Sequence, residues 1–310
     1  MVSDKKEVIL VTGADLAPQA VALLSDFEIV YAGKECPEDA LEALCRQFEP
    51  VAMIVRYGRI SERVIAASPK LRVISKHGTG IDNIDSNAAK ARGIVVRAAT
   101  GANAPAVAEH TWALILACAK NVVQLDGRMR AGHWDKATHK SLELKGRTLG
   151  LVGLGAIGRR VADVGTALGM RVIAYDPFAT SVPEGIERRE LAEVISTSDV
   201  LSLHCPLTAD NAKMINAQTL ATMRDGAIVV NTARGGLIDE AALAEALTSG
   251  KLRAAGLDSF QVEPFTAGHA FTGLANAILT PHIGGVTSDA YIGMGTGAAR
   301  NILDELAVTA

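Results

Sequence analysis

Residues 148–176 read TLGLVGLGAIGRRVADVGTALGMRVIAYD. An apolar strand-like run leads into three glycines, Gly153, Gly155 and Gly158. An amphipathic helical pattern follows, and then a second apolar run that ends in Asp176, eighteen residues after Gly158. A lone GxGxxG is weak evidence, since glycine-rich turns are common. Strand, glycines, helix and terminal acid all in register make it strong.

The physical need behind that order is a tight strand-to-helix turn. It lets a pyrophosphate approach the backbone of Gly155, Ala156 and Ile157 while the helix dipole points at the anion. At the end of the second strand the Asp176 carboxylate can accept both hydroxyls of a ribose, and it repels a 2'-phosphate. The expected cofactor is therefore NAD rather than NADP.

Outward from this stretch, strand-like and helical patterns alternate along nearly the whole chain, as they do in βαβ units around parallel sheets. EVILVTG, FEIVYAG, VAMIVR, LRVISKHG and GIVVRAA make a first block ending near residue 100. RTLGLVGLG, MRVIAYD, DVLSLHCP, AIVVNTARGG, RAAGLDSF and NAILTPHIGG make a second. An apolar helix-like stretch runs from about residue 103 to 130, and a last helical pattern from about 289 to 306. The second block is complete before that last helix, so the helix is expected to pack on the first. The expectation is an α/β protein of two doubly wound, Rossmann-like parallel-sheet domains, one flavodoxin-like and one dinucleotide-binding, with a cleft between them. The first, discontinuous domain would take residues 1–100 plus 287–310 and bind substrate; residues 101–286 would bind NAD.

Bulk properties agree and exclude other classes. The chain has 310 residues, long enough for two ordinary domains, and is 49% hydrophobic and 21% charged, as a globular protein is. A formal charge of -3 offers no bulk attraction to nucleic acid or to an anionic membrane. The N-terminus lacks the pattern of a signal peptide, and WALILACA is far shorter than the ~20 residues of a membrane span. The four cysteines form no CxxC and no paired spacings, which suits a reduced, cytoplasmic setting. No metal site is expected from Glu109, His110, His133 or His139. His110 reads as hinge packing, His204 as structural, and His133, His139 and His269 as loop residues.

The chemistry is expected at successive strand ends of the second block, where open α/β sheets collect ligands. Arg234 follows VVNTA, Glu263 lies in GLDSFQVEP and His282 in LTPHIGG. Read alone, an arginine at a strand end is a solvated cap. Behind a dinucleotide turn the three make a set. Hydride transfer at an oxygen-bearing carbon needs a proton donor near neutral pH, which suits His282. A carboxylate on the far ring nitrogen would fix the tautomer and favour imidazolium, which suits Glu263. Arg234 can fork onto a substrate carboxylate, with Gly235 and Gly236 allowing a sharp turn beside it.

VGLGAIG with Asp176, NTARGGLID, DSFQVEP, PHIGG and HGTGIDNID at 77–85 together resemble the D-isomer-specific 2-hydroxyacid dehydrogenase family. The similarity is greatest to its phosphoglycerate dehydrogenase and hydroxypyruvate/glyoxylate reductase branch. The resemblance implies Arg234 as carboxylate clamp, Glu263 as the histidine's partner and His282 as general acid/base. It further implies that Gly78, Thr79 and Gly80 present N–H groups to the substrate carboxylate, and that Asp258 contacts the nicotinamide amide. Cys205 and Pro206 would line the adenine side; Thr232, Ala233, Gly284 and Gly285 complete the implied cofactor contacts. Asn103 and the helix APAVAEHTW would be the hinge and inter-domain helix. A homodimer through the nucleotide domain is implied, with the arm GHWDKATHK as a contact.

Substrate choice is expected in the first domain, where Arg56, Arg59 and Lys76 stand. Phosphoglycerate dehydrogenases place basic residues near Arg56 and Lys76, which points to a second anion on the substrate. Two departures stand out: Tyr57-Gly58 where that branch has a small hydroxyl residue, and Lys76 where arginine is common. Phosphoglycerate, hydroxypyruvate, glyoxylate and sulfolactate/sulfopyruvate stay open, as does a corepressor-type NAD(H) sensor. The chain is read as lacking a C-terminal regulatory domain, so serine feedback through one is not expected.

Overall fold

In the computed structural model, residues 6–308 are described. The chain divides into two compact units: residues up to Asn103 together with those from Val286 onward, and Ala104–Gly285.

The first unit is built on five parallel strands, β1 (Val8–Thr12), β2 (Glu28–Tyr31), β3 (Ala52–Val55), β4 (Val73–Lys76) and β5 (Val95–Ala98). Their order is β2-β1-β3-β4-β5, the flavodoxin-like arrangement. β1 and β3 are buried at every position and apolar at all but Thr12, as strands covered on both faces must be. The edge strand β2 is half exposed and carries Glu28 and Tyr31. The last helix, Ser288–Val308, lays Ala298, Ala299, Ile302 and Leu306 into the same core as Ile9, Val11, Ile54 and Val73. The C-terminal segment thus completes the unit that the N-terminal segment begins.

The second unit has seven parallel strands: β6 (Thr148–Val152), β7 (Arg171–Tyr175), β8 (Ile186–Arg188), β9 (Val200–Leu203), β10 (Ala227–Asn231), β11 (Leu252–Leu257) and β12 (Ala277–Leu279). The order β12-β11-β10-β9-β6-β7-β8 reverses direction between β6 and β9, as in dinucleotide-binding sheets. Helix Ala104–Lys120 covers one face, burying Trp112, Leu114, Ile115 and Cys118 beside Leu149 and Val161; the Trp112 indole donates to Val161 O at 3.1 Å. Two parallel-sheet α/β domains are therefore what the sequence pattern leads one to expect.

Two details differ. β8 carries no pattern signal, being three residues, Ile-Glu-Arg, on the sheet edge. The helical stretch from 103 to 130 is two helices, Ala104–Lys120 and Val122–Arg130, because Asn121 adopts a left-handed backbone (φ 53°) that no α-helix continues.

Candidate active site

In the second unit the loops after β6, β7, β9, β10, β11 and β12 carry the polar residues. After β6, Gly153 has φ 104°, and a Cβ there would stand 2.8 Å from the backbone of His204. A Cβ on Gly158 would stand 2.1 Å from Gly153 O, so only glycine lets helix Ala156–Ala167 start this close to the strand. Gly155 caps the helix and has nothing within 4 Å of where a Cβ would lie, which leaves its N-terminal amides open to an anion. At the end of β7, Asp176 is held by the backbone: Leu154 N donates to Oδ2 at 2.8 Å, and Phe178 N and Ala179 N donate to Oδ1 at 2.8 and 3.1 Å. A carboxylate has about four acceptor positions, so a fixed oxygen edge stays available for a ribose hydroxyl. Open glycine, helix start and fixed acid together fit a dinucleotide.

After β9, burial pushes the Cys205 thiol up to about 11, which keeps it protonated and unreactive; Asn211 Nδ2 donates to the O of exposed Pro206 at 2.8 Å. Burial pushes His204 down to about 4, so it is neutral at pH 7, with Nε2 2.9 Å from Ser202 Oγ. It cannot serve as an imidazolium donor there.

The loop after β10 is shaped by Asn231. Its Oδ1 accepts from Ala233 N at 3.0 Å, and its Nδ2 donates to Arg234 O at 2.9 Å, so one side chain closes the turn around Thr232 and Ala233. Thr232 Oγ1 lies 2.8 Å from Thr111 Oγ1. Arg234 is extended (φ -146°), and its Nη1 donates to Ala233 O at 2.7 Å. Gly235 and Gly236 do not turn in the left-handed region. They serve close packing instead: a Cβ on Gly235 would lie 1.9 Å from Phe260 C, and one on Gly236 2.7 Å from Leu207 Cδ2.

Glu263 and His282 meet. Phe260 N donates to Glu263 Oε1 at 3.0 Å, and His282 Nδ1 lies 2.9 Å from Oε2 and 3.1 Å from Oε1. The acceptor carboxylate puts the Nδ1 proton between the two groups and turns Nε2 outward on a half-exposed ring.

His282 has φ 54°, unusual for a residue with a Cβ. Asp258, buried at the end of β11, explains how the loop holds it. Asp258 Oδ1 accepts from Thr280 Oγ1 at 2.6 Å and from Ile283 N at 2.9 Å, and Oδ2 from Gly284 N at 2.8 Å. His110 Nε2 lies 2.9 Å from Thr280 Oγ1 and 3.4 Å from Asp258 Oδ1. Because the Thr280 hydroxyl proton points at Asp258, His110 Nε2 is the donor in its contact with Thr280. Thr280 before His282, and Ile283 and Gly284 after it, are thereby tied to one carboxylate. Asn231, Thr280 and His110 carry no motif signal for these roles; an Asn at a strand end before a turn is the one hint that a sequence offers.

In the first unit, Arg56 follows β3, while Lys76 closes β4 and leads into Gly78, Thr79 and Gly80. Gly78 has φ 136°, its O accepts from Ala99 N at 2.9 Å, and Thr79 Oγ1 donates to Asn103 Oδ1 at 3.1 Å. Lys76 Nζ donates to Arg56 O at 3.3 Å and Asn83 Oδ1 at 3.2 Å. Arg56 pairs with Asp15. His77, buried against Tyr291, is pushed down to about 4 by desolvation. Among the described residues, no three His, Cys, Asp or Glu side chains are grouped to hold a metal ion.

Residues 112–284 match the family described as D-isomer specific 2-hydroxyacid dehydrogenase, NAD binding domain. The chain is similar to the hydroxypyruvate reductase of Thermotoga maritima, at 39% identity over 92% of this chain and 94% of that one. It is also similar to the D-3-phosphoglycerate dehydrogenase of Mycobacterium tuberculosis, at 40% identity over 93% of this chain; it spans only about half of that protein, 54%. Among solved structures, D-lactate dehydrogenase from Aquifex aeolicus complexed with NAD and lactic acid superposes with a TM-score of 0.83 at 29% identity, over 97% of this chain and 96% of that one.

Proposed function

Because the chain belongs to the D-isomer specific 2-hydroxyacid dehydrogenase family, we propose that it reduces hydroxypyruvate or glyoxylate, with His282 as proton donor and Arg234 as carboxylate clamp. NAD-dependent interconversion of a 2-hydroxy acid and its 2-oxo acid comes with the family. The Glu263–His282 pair is the observation that carries the assignment of roles.

When bound, NADH supplies a hydride to the carbonyl carbon. His282 Nε2 gives its proton to the carbonyl oxygen, and Glu263, bound at Nδ1, keeps the ring oriented through that transfer. The half-exposed ring then recovers a proton from water. Arg234 holds the substrate carboxylate and polarises the adjoining carbonyl. Asp258, with Thr280 and His110, holds the backbone of the proton donor. Gly153, Gly155 and Gly158 hold the pyrophosphate, and Asp176 reads the ribose of NAD. Gly78, Thr79, Gly80, Lys76 and Arg56 are proposed as further substrate contacts.

A homodimer through the second unit belongs to the same proposal. Helix Val122–Arg130 buries none of its residues and exposes Val122, Val123 and Met129, and Trp134 on the following arm is 74% exposed. Such a patch suits a second copy. Trp134→Asp is expected to convert a dimer to a monomer in sedimentation; a monomeric unaltered protein would contradict the assignment. A reduced, cytoplasmic setting is supported by the four free thiols.

The activity test is NADH oxidation on adding hydroxypyruvate, glyoxylate, phosphohydroxypyruvate or sulfopyruvate. Turnover with the first two is expected. No oxidation with any of the four, despite NADH binding, would favour a corepressor-type sensor.

A further inference from the structure

Open α/β sheets gather ligands at the carboxyl ends of their strands, where the strand order reverses. In the first unit that point lies between β1 and β3, which pair side by side. Two opposite charges meet there. Arg56, directly after β3, donates from Nη1 to both the carboxylate Oδ1 and the main-chain oxygen of Asp15, in the loop after β1. Tyr291 Oη donates to the same Oδ1 at 2.9 Å. The guanidinium carbon lies 5.1 Å from the Tyr291 ring centre and 5.3 Å from that of Tyr57. Gly13 makes room, since a Cβ there would stand 2.9 Å from Arg56 Cδ.

The consequence is a reversal of what the sequence suggests at this edge. The Arg56 side chain is 10% exposed, whereas that of Asp15 is 61% exposed. The group that an incoming ligand meets first is the carboxylate. The hydrogen bond from Arg56, and then that from Tyr291, hold the Asp15 carboxyl below the usual carboxylate range, so it is ionised at neutral pH. A phosphate, sulfonate or second carboxylate approaching Arg56 must compete with an anion already seated on its guanidinium. A neutral hydroxymethyl group or a hydrogen atom meets no such competitor.

We propose that Asp15 is a specificity-determining residue, an internal counter-anion that holds Arg56 and restricts the enzyme to 2-oxo acids with a single negative charge. This rests on the reading that the chain reduces small 2-oxo acids, with Arg56 facing the end of the substrate remote from its carboxylate. Lys76, anchored on Arg56 O and Asn83, lies on the same edge.

The test compares kcat/KM for phosphohydroxypyruvate and hydroxypyruvate, with NADH, in the unaltered protein and in Asp15→Asn. The substitution should raise the ratio of phosphorylated to unphosphorylated substrate by about tenfold or more, chiefly through a lower KM for the phosphate. The gain should shrink as ionic strength rises from about 0.05 to 0.5 M, and Arg56→Gln in the Asp15→Asn background should cancel it. Tyr291→Phe, which loosens the carboxylate without removing it, should move the ratio the same way by less. An unchanged ratio in Asp15→Asn, or a gain that survives Arg56→Gln, overturns the inference and leaves the dehydrogenase reading intact. Failure of the unaltered protein to oxidise NADH with either acid overturns both.

Discussion

His282 is held by two carboxylates with different tasks. Glu263 faces its Nδ1 and sets the ring, while Asp258 binds the amides of Ile283 and Gly284 and sets the backbone at φ 54°. The left-handed conformation costs a residue with a Cβ roughly 1 kcal/mol, and surrounding hydrogen bonds must offset it. Asp176 is simpler, since three backbone amides pin it at a strand end. Asp176→Ala is expected to raise the ratio of kcat/KM for NADPH over NADH by about tenfold or more, because a like charge facing the 2'-phosphate is removed. An unchanged ratio would mean that the ribose is read elsewhere. Asp176, Glu263, His282 and Arg234 stand out as candidates in the sequence because each follows a strand at motif spacing. Asp15 is not, because its partner is 41 residues away and only the adjacency of β1 and β3 joins them.

Among the elements, the loops after β10, β11 and β12 act as one assembly. Asn231 closes the first loop, Gly235 lets it press against Phe260 in the second, and Asp258 at the root of the second binds the third. Their precision depends on Thr280, whose hydroxyl links Asp258 to His110 on helix Ala104–Lys120. Thr280→Val should lower kcat about tenfold while leaving the KM for hydroxypyruvate and the Kd for NADH within about threefold, as a misplaced proton donor would. An unaltered kcat would show that the loop holds its shape without this link. The strands themselves were readable from their apolar runs, except β8, which is too short and polar to leave a pattern. The break at Asn121 was hidden because apolar residues continue at helical spacing on both sides of it.

At the scale of the whole chain, counting elements sets up the expectation of a discontinuous first domain. A completed second sheet leaves the last helix without a partner, and that helix fills the core of the first unit through Ala298, Ala299 and Ile302. What counting cannot give is the substrate, because charge pairing across strands decides whether a cation is offered or already held. In the proposed reaction the second unit's loops present His282 as the proton donor to a 2-oxo acid. The most direct measurement is the rate of NADH oxidation with saturating hydroxypyruvate in His282→Ala beside the unaltered protein, with NADH affinity measured in parallel. Turnover is expected to fall by about 100-fold or more, with NADH affinity within about threefold. Turnover within about threefold of the unaltered protein would contradict it.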